Sequence, residues 1–415
     1  MDSQTYNTFY FKWYIHFFVI CTVVSTIPYF LNVPVILIQV INLISIIAMI
    51  RYMILSTNIL SITSPIRILV YLLILWNFIT IIRGFELNFR IFGRLFASPD
   101  FMLPFLFPIF AFVKSDLNVF RIINRTIIFL NLIYISILFI YVIAPQLPNI
   151  IDSINDYEFF SKRFAYANGF LLLTYFYQNK KVKFLSILVF LVSLIIALFL
   201  ARRSQVLIFS LFGICSWLLS ILYHNKKPIL VNVLIYLTVF ISSFFVLGPQ
   251  ISNLFKSNFS FFIERLDNNT RDIATDQFYD DMQPIDYFVG RGINGRYITT
   301  EDLDYDYEGD TRTDEEKQYR YGIETGYLNI ILKGGIIALA LTVLISFYAI
   351  IKGLFWSNNG YIKASAILIL INMIGLYPES AMAFTFRYLL IWICIGLCIS
   401  NDSSYTDDDI KYTLN

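Results

Sequence analysis

The sequence predicts an all-α protein: a polytopic membrane bundle of about twelve transmembrane helices with one large outer loop. Three observations carry this. Of 415 residues, 58% are hydrophobic and only 14% charged, where a soluble domain has about 25% charged. Mean hydropathy is +0.67, and apolar runs of about 17–25 residues, the length that crosses a bilayer, recur along the whole chain. The charges are not spread evenly but gather in short segments between those runs.

The runs place spans at 13–31, 34–50, 66–82, 100–113, 126–144, 165–178, 184–200, 206–222, 229–247, 327–349, 364–377 and 387–399. The fourth, sixth, eleventh and twelfth are short. The first has no small-residue cleavage site after it and reads as a helix, not a removed signal. The chain thus divides into a bundle over 1–247, a large loop over 248–326, a second bundle part over 327–400 and an acidic tail over 401–415.

Lysine and arginine flanking the spans set the orientation. With both termini in the cytoplasm, ten lysines and four arginines fall inside, many in short loops such as "NKKVK" and "HNKKP". The outer side then carries thirteen arginines and only four lysines. Arg83, Arg90, Arg94, Arg163, Arg202, Arg203 and Arg387 lie in or beside its short segments. Positive-inside bias disfavours them there. Arginine presents a planar fork of donors that suits phosphate and carboxylate. A helix-end arginine can also simply snorkel to lipid phosphates. The adjacent pair Arg202 and Arg203 repel each other unless an anion lies between or beside them, so they are the first candidates for an anion site.

The outer loop opens on an amphipathic stretch, "ISNLFKSNFSFFIERL", that suits the membrane surface. Further on, "VGRGINGRY" combines Gly290, Gly292 and Gly295 with Arg291 and Arg296. Glycines let a backbone turn tightly and approach a ligand, but no Gly-Lys-Ser/Thr follows, so this is not a Walker loop. The run "TEDLDYDYEGDTRTDEE" reads as a solvated loop or as a sugar-contacting surface. Glu324 stands three residues before the tenth span. It suits a catalytic carboxylate at the outer boundary, and equally an acid that complements a helix N-terminus.

Other chemistries lack their residues. The four cysteines, Cys21, Cys215, Cys394 and Cys398, lie in apolar runs, and the only histidines are His16 and His224. Neither disulfide framework nor zinc spacing is present, so no metal and no cofactor is expected. The net charge of +2 carries no nucleic-acid signal.

With these residues in view, the chain resembles the O-antigen polymerase (Wzy) and O-antigen ligase family of bacterial inner-membrane proteins. The likeness covers about residues 160–345. "SKRFAYANGFLLL" is similar to the family's arginine segment leading into a helix with an asparagine, here Arg163 and Asn168. "LARRSQVLIF" is similar to its arginine motif between two helices, "IERLDNNTR" with "DYFVGRGING" to its Gly-x-Gly loop, and "ETGYLNIILKGGIIALAL" to its return into a helix. Many members, ligases especially, carry a histidine where this chain has Glu324, which favours a polymerase-like member.

The resemblance implies a GT-C-like bundle in the inner membrane that handles undecaprenyl-pyrophosphate-linked oligosaccharide at its outer face. It implies contact with membrane lipid, a chain-length regulator as a further partner, and no cofactor or nucleic acid. Arg202 and Arg203 would hold the departing pyrophosphate, Arg163, Arg291 and Arg296 would assist, and Asn168 would lie in the same binding region. Glu324 would take the acceptor's proton and Tyr327 would orient the sugar. Two other classes stay in view: a flippase for lipid-linked oligosaccharide, whose mark would be mid-membrane charges and broken helices, and a non-catalytic scaffold of envelope assembly.

Overall fold

A computed structural model describes residues 64–85, 103–113, 116–143, 154–199, 203–224, 270–299, 318–380, 385–400 and 405–414, with a few isolated positions besides. The expected first, second and ninth spans, the amphipathic opening of the loop, its acidic tyrosine run and Arg202 lie wholly or mostly outside the described residues.

The described chain is a helical bundle. Helices α1 (Ser64–Arg83), α2 (Leu117–Ile143), α3 (Ile154–Leu173), α4 (Lys180–Phe199) and α5 (Arg203–His224) come first. Two helices of the loop follow, α6 (Thr270–Asp281) and α7 (Pro284–Val289). Then come α8 (Gly326–Ile351), α9 (Gly360–Gly375), α10 (Phe386–Ile399) and a tail helix, α11 (Asp407–Leu414). Among the described residues, four stretches are long and apolar enough to cross a membrane: Pro65–Arg83, Leu117–Ile137, Arg203–Leu222 and Gly326–Trp356. Exposed apolar side chains such as Ile68, Leu75, Phe78 and Ile82 on α1 and Leu222 on α5 leave apolar flanks of the kind a bilayer covers.

The described residues are mostly helical, as expected, with one small addition: Tyr297 pairs with Arg320 and Ile298 with Tyr319 in a two-stranded antiparallel ribbon, β1 (Tyr297–Ile298) and β2 (Tyr319–Arg320). One expected span needs correction. The span expected over 100–113 is a 3-10 helix, Leu103–Phe112, with Pro108 inside it. In an α-helix the Pro108 ring would clash with the carbonyl four residues before it. Its ten residues rise about 20 Å, enough to line α10, where a Cβ at Gly396 would lie 2.6 Å from the Phe110 carbonyl. Buried polar side chains also pair with one another between elements. Asn124 and Gln178 exchange amide hydrogen bonds of 3.1 and 2.7 Å, and Asn168 donates to Ser193 Oγ at 2.9 Å. Side-chain bonds of this kind join helices where apolar packing alone gives no preference over lipid.

Helix α8 is broken. Gly335 takes φ 71° and ψ −177°. The break is needed for packing. A Cβ at Gly353 would meet Ala366 on α9, and Gly326 N donates to Leu376 O at 2.8 Å. At 1.5 Å per residue a straight helix from 326 to 353 would run about 40 Å, while 366 to 376 of α9 covers about 15 Å. The first turns of α8 therefore fold across the bundle end.

The glycine-rich loop caps this break. Arg291 N donates to Leu332 O at 2.8 Å, Gly292 N to Lys333 O at 2.9 Å and Trp76 Nε1 to Gly334 O at 2.7 Å. These satisfy carbonyls that the lost helical turn leaves open. Arg83 in turn donates to the carbonyls of Val289 and Gly290, both at 2.6 Å, and Ile293 N donates to Thr80 O at 3.0 Å. The loop is thus tied to the end of α1 and to α8 together. Gly335→Ala is expected to lose this arrangement. A Cβ there would overlap the Phe288 carbonyl, and the left-handed backbone adds about 1–3 kcal/mol of strain. The check is thermal aggregation in detergent, where the variant should give a clearly lower midpoint while Gly322→Ala, whose Cβ meets nothing nearer than 3.5 Å, should not.

Candidate functional site

The connection between α9 and α10 gathers the helix ends. Leu376 O accepts Gly326 N at 2.8 Å and Tyr327 N at 3.3 Å, taking up two of the amide donors that the start of α8 leaves open. Gly326 is required for this approach, because a Cβ would stand 2.5 Å from Glu379 O. Asn329 donates to Ser380 Oγ at 3.0 Å, adding a side-chain tie.

Beneath that connection lies a buried charge cluster. Glu379 and Arg387 form an ion pair at 2.8 Å with side chains 7% exposed each. The other Glu379 oxygen accepts Ser204 Oγ at 2.7 Å. The Arg387 guanidinium lies 4.0 Å from the centre of the Tyr166 ring, and its Nε and Nη2 each approach Asn372 Oδ1 at 3.4 Å. Helices α3, α5, α9 and α10 therefore each supply one group. Ser204 and Arg387 are the second residues of α5 and α10, so the carboxylate also faces two helix N-termini, whose partial positive charge favours it.

The sequence candidates fall in three places. Arg203, the first residue of α5, is exposed and precedes the Ser204 that holds Glu379. Glu324 is exposed and precedes Thr325, the N-cap of α8. Tyr327, half-buried, stacks on Tyr377 with centroids 6.5 Å apart and planes 11° apart. Ser204, next to Arg203, and Gly326 and Tyr327, close after Glu324, are thus bonded to one connection. Arg163 lies one turn before Tyr166 in α3. Asn168 is fully buried between helices, bonded to Ser193, so a direct contact with substrate does not fit its position.

Arg291 and Arg296 are held by the loop itself. Arg291 pairs with Asp281 and with Asp286, the latter at 2.8 Å, and donates to Arg296 O at 2.7 Å. Burial alone would lower its pKa, but the bonds to Asp281 and Asp286 more than offset this and raise it. Arg296 lies over the Tyr319 ring at 4.3 Å. The expectation that "VGRGINGRY" cradles a ligand is corrected on this point: its Arg291, Gly292 and Ile293 amides are spent on α1 and α8. Arg291→Lys, which keeps the charge but loses the fork, is expected to speed proteolytic cutting within 270–299 several-fold while leaving insertion intact.

Sequence reasoning missed Glu379, Asn372, Tyr166 and Ser204, and counted Arg387 only as one outer arginine. A signal existed: Glu379 and Arg387 are the only charged residues between 364 and 399, and charges within an apolar stretch pair or line a site. Among the described residues no group of His, Cys, Asp and Glu could hold a metal ion. No protein-family model matches the chain, and neither a curated protein nor a solved structure matches it.

Proposed function

We propose that this chain is a membrane glycosyltransferase of twelve spans with a GT-C-like bundle. It polymerises oligosaccharide repeat units at the outer face of the bacterial inner membrane. The observation that carries this reading is that Ser204, next to Arg203, and Gly326 and Tyr327, close after Glu324, are bonded to the single α9–α10 connection. A cation for a leaving pyrophosphate and a carboxylate for an acceptor hydroxyl are thereby supported by one scaffold.

The acceptor oxygen attacks the anomeric carbon of the growing glycan. Its proton passes to Glu324, and the bond from that carbon to the undecaprenyl pyrophosphate breaks with its electron pair leaving on the phosphate. Arg203, with Arg202, stabilises the charge that develops there. Positive charge placed in advance is effective because it needs no reorganisation during the step. O-antigen ligase chemistry uses the same donor and differs in the acceptor.

One observation favours the flippase reading: a broken helix with a buried lysine, Lys333, beside the break, as transporters often have. Against it, Lys333 Nζ donates to Gly295 O at 2.8 Å. The cavity beside it, lined by Asn77, Lys333, Gly334, Thr342 and Trp392, is about 10 Å³, the size of one water.

The deciding experiment is the size-resolved surface glycan of a strain lacking the gene. Loss of the ladder with single units still attached supports polymerase. Lipid-linked polymer accumulating outside supports ligase. Single lipid-linked units trapped on the cytoplasmic side, or an unchanged ladder, sinks the polymerase reading.

A further inference from the structure

Four tyrosines form a continuous row at the loop end of the bundle. The Tyr287 and Tyr279 rings stack with centroids 6.4 Å apart, and the Tyr287 hydroxyl donates to Tyr279 O at 3.2 Å. Tyr327, on the first turn of α8, lies beside Tyr279. Tyr327 stacks on Tyr377. Tyr279 is 46% exposed and Tyr377 75%. The row thus starts on α6 and α7, crosses the first turn of α8, and ends two residues before Glu379.

Tyr287 and Tyr327 are half-buried against a small core of the loop end, and they hold the exposed rings of Tyr279 and Tyr377 in place. Each ring is rigid, carries a negative face and keeps a polar hydroxyl at its tip. The C–H face of a pyranose is weakly positive and apolar, and its hydroxyls point outward to the rim. A row of such rings therefore fits a chain of sugars better than a single small ligand or a charged polymer. Asp280, exposed beside Tyr287, offers an acceptor for sugar hydroxyls at the far end.

We infer that Tyr287, Tyr279, Tyr327 and Tyr377 form a binding track for the glycan part of the substrate, leading along the surface towards Arg203. The inference rests on the polymerase reading for the identity of the glycan, and on the ring geometry for the track. It extends that reading by giving the polymer a path: the reducing end sits near Arg203 and the following sugars lie over Tyr377, Tyr327 and Tyr279 in turn. A track that holds several sugars keeps the growing chain bound between additions, so its loss shortens the product before it stops the reaction.

The test uses the full chain in nanodiscs and the producing strain's own surface polysaccharide, freed from lipid by mild acid, with binding read by calorimetry. Tyr377→Ala and Tyr279→Ala are each expected to weaken binding about tenfold, within the range an aromatic stacking platform contributes per ring. Tyr377→Phe keeps the ring and should bind within twofold of wild type. Tyr412→Ala, at the tail end and 89% exposed, serves as the control for an unrelated exposed tyrosine. Unchanged binding in both alanine variants would mean that these tyrosines belong to a membrane-interface belt, and the track is wrong. Absence of binding to the wild type overturns it equally. Neither result touches the polymerase reading, which stands or falls on the ladder of the deletion strain.

Discussion

Arg387→Met is expected to leave little folded protein, with a loss of about 3–5 kcal/mol, the cost of removing one partner from a buried ion pair. The magnitude follows from what is stranded. Glu379 is 6% exposed, and without Arg387 its Oε2 loses the 2.8 Å contact recorded for it, while Ser204 still points a hydroxyl at its Oε1. The Arg387 guanidinium also lies over the Tyr166 ring at 4.0 Å, so Arg387→Lys does not rescue: an ammonium offers neither the fork nor the planar face. Replacing both partners, Arg387→Met with Glu379→Leu, is expected to recover most of the loss, because two apolar groups leave no buried charge behind. Thermal midpoints of the two single variants and the double variant close the cycle. Additive losses would show that the two side chains do not depend on each other, contrary to the geometry.

Much of the bundle is legible from apolar run length alone. Helix α1 was expected over 66–82 and runs Ser64–Arg83, and α5 was expected over 206–222 and runs Arg203–His224. Each helix has an arginine at one end, Arg83 on α1 and Arg203 on α5, which marks where the apolar environment stops. Helix α8 shows the limit. Its ends, Gly326 and Ile351, agree with the expected 327–349 within two residues, yet the break at Gly335 is invisible to averaged hydropathy, because one Lys333 hardly lowers the mean of so apolar a run. The break depends on Trp76, Arg291 and Gly292, which arrive from elsewhere in the chain. The 3-10 helix was legible in principle from Pro108, which an apolar average passes over.

The site was partly legible for a related reason. Arg203 and Glu324 announce themselves as charges next to long apolar runs, but nothing local says that they share a support. That support is the α9–α10 connection, where Glu379 accepts from Ser204 and Leu376 O accepts from Gly326 and Tyr327. Arg291 shows the opposite case. A glycine-flanked arginine suggests a ligand loop, while Asp281 and Asp286, ten and five residues earlier, take its guanidinium. Local sequence identifies the group, and only tertiary contacts decide whether its charge is already spent.

Arg203→Ala is expected to lower polymer formation about 10²–10³-fold, the usual consequence of removing one donor aimed at developing negative charge, with folding intact. The two effects separate because Arg203 is exposed at the first position of α5, while the neighbouring Ser204 carries the bond to Glu379. Truncating the arginine leaves that bond and the buried pair in place. Arg203→Lys keeps a positive charge but not the planar fork, so it is expected to retain part of the activity. The measurement is polymer yield and length in the deletion strain complemented with each variant, normalised to protein in the membrane. A chain that only snorkels its arginine to lipid phosphate would show no deficit for alanine and no order among alanine, lysine and wild type. Graded loss at constant protein level would tie the charge to the reaction, because lipid anchoring responds to charge alone while a phosphate held in the transition state also responds to the shape of the donor.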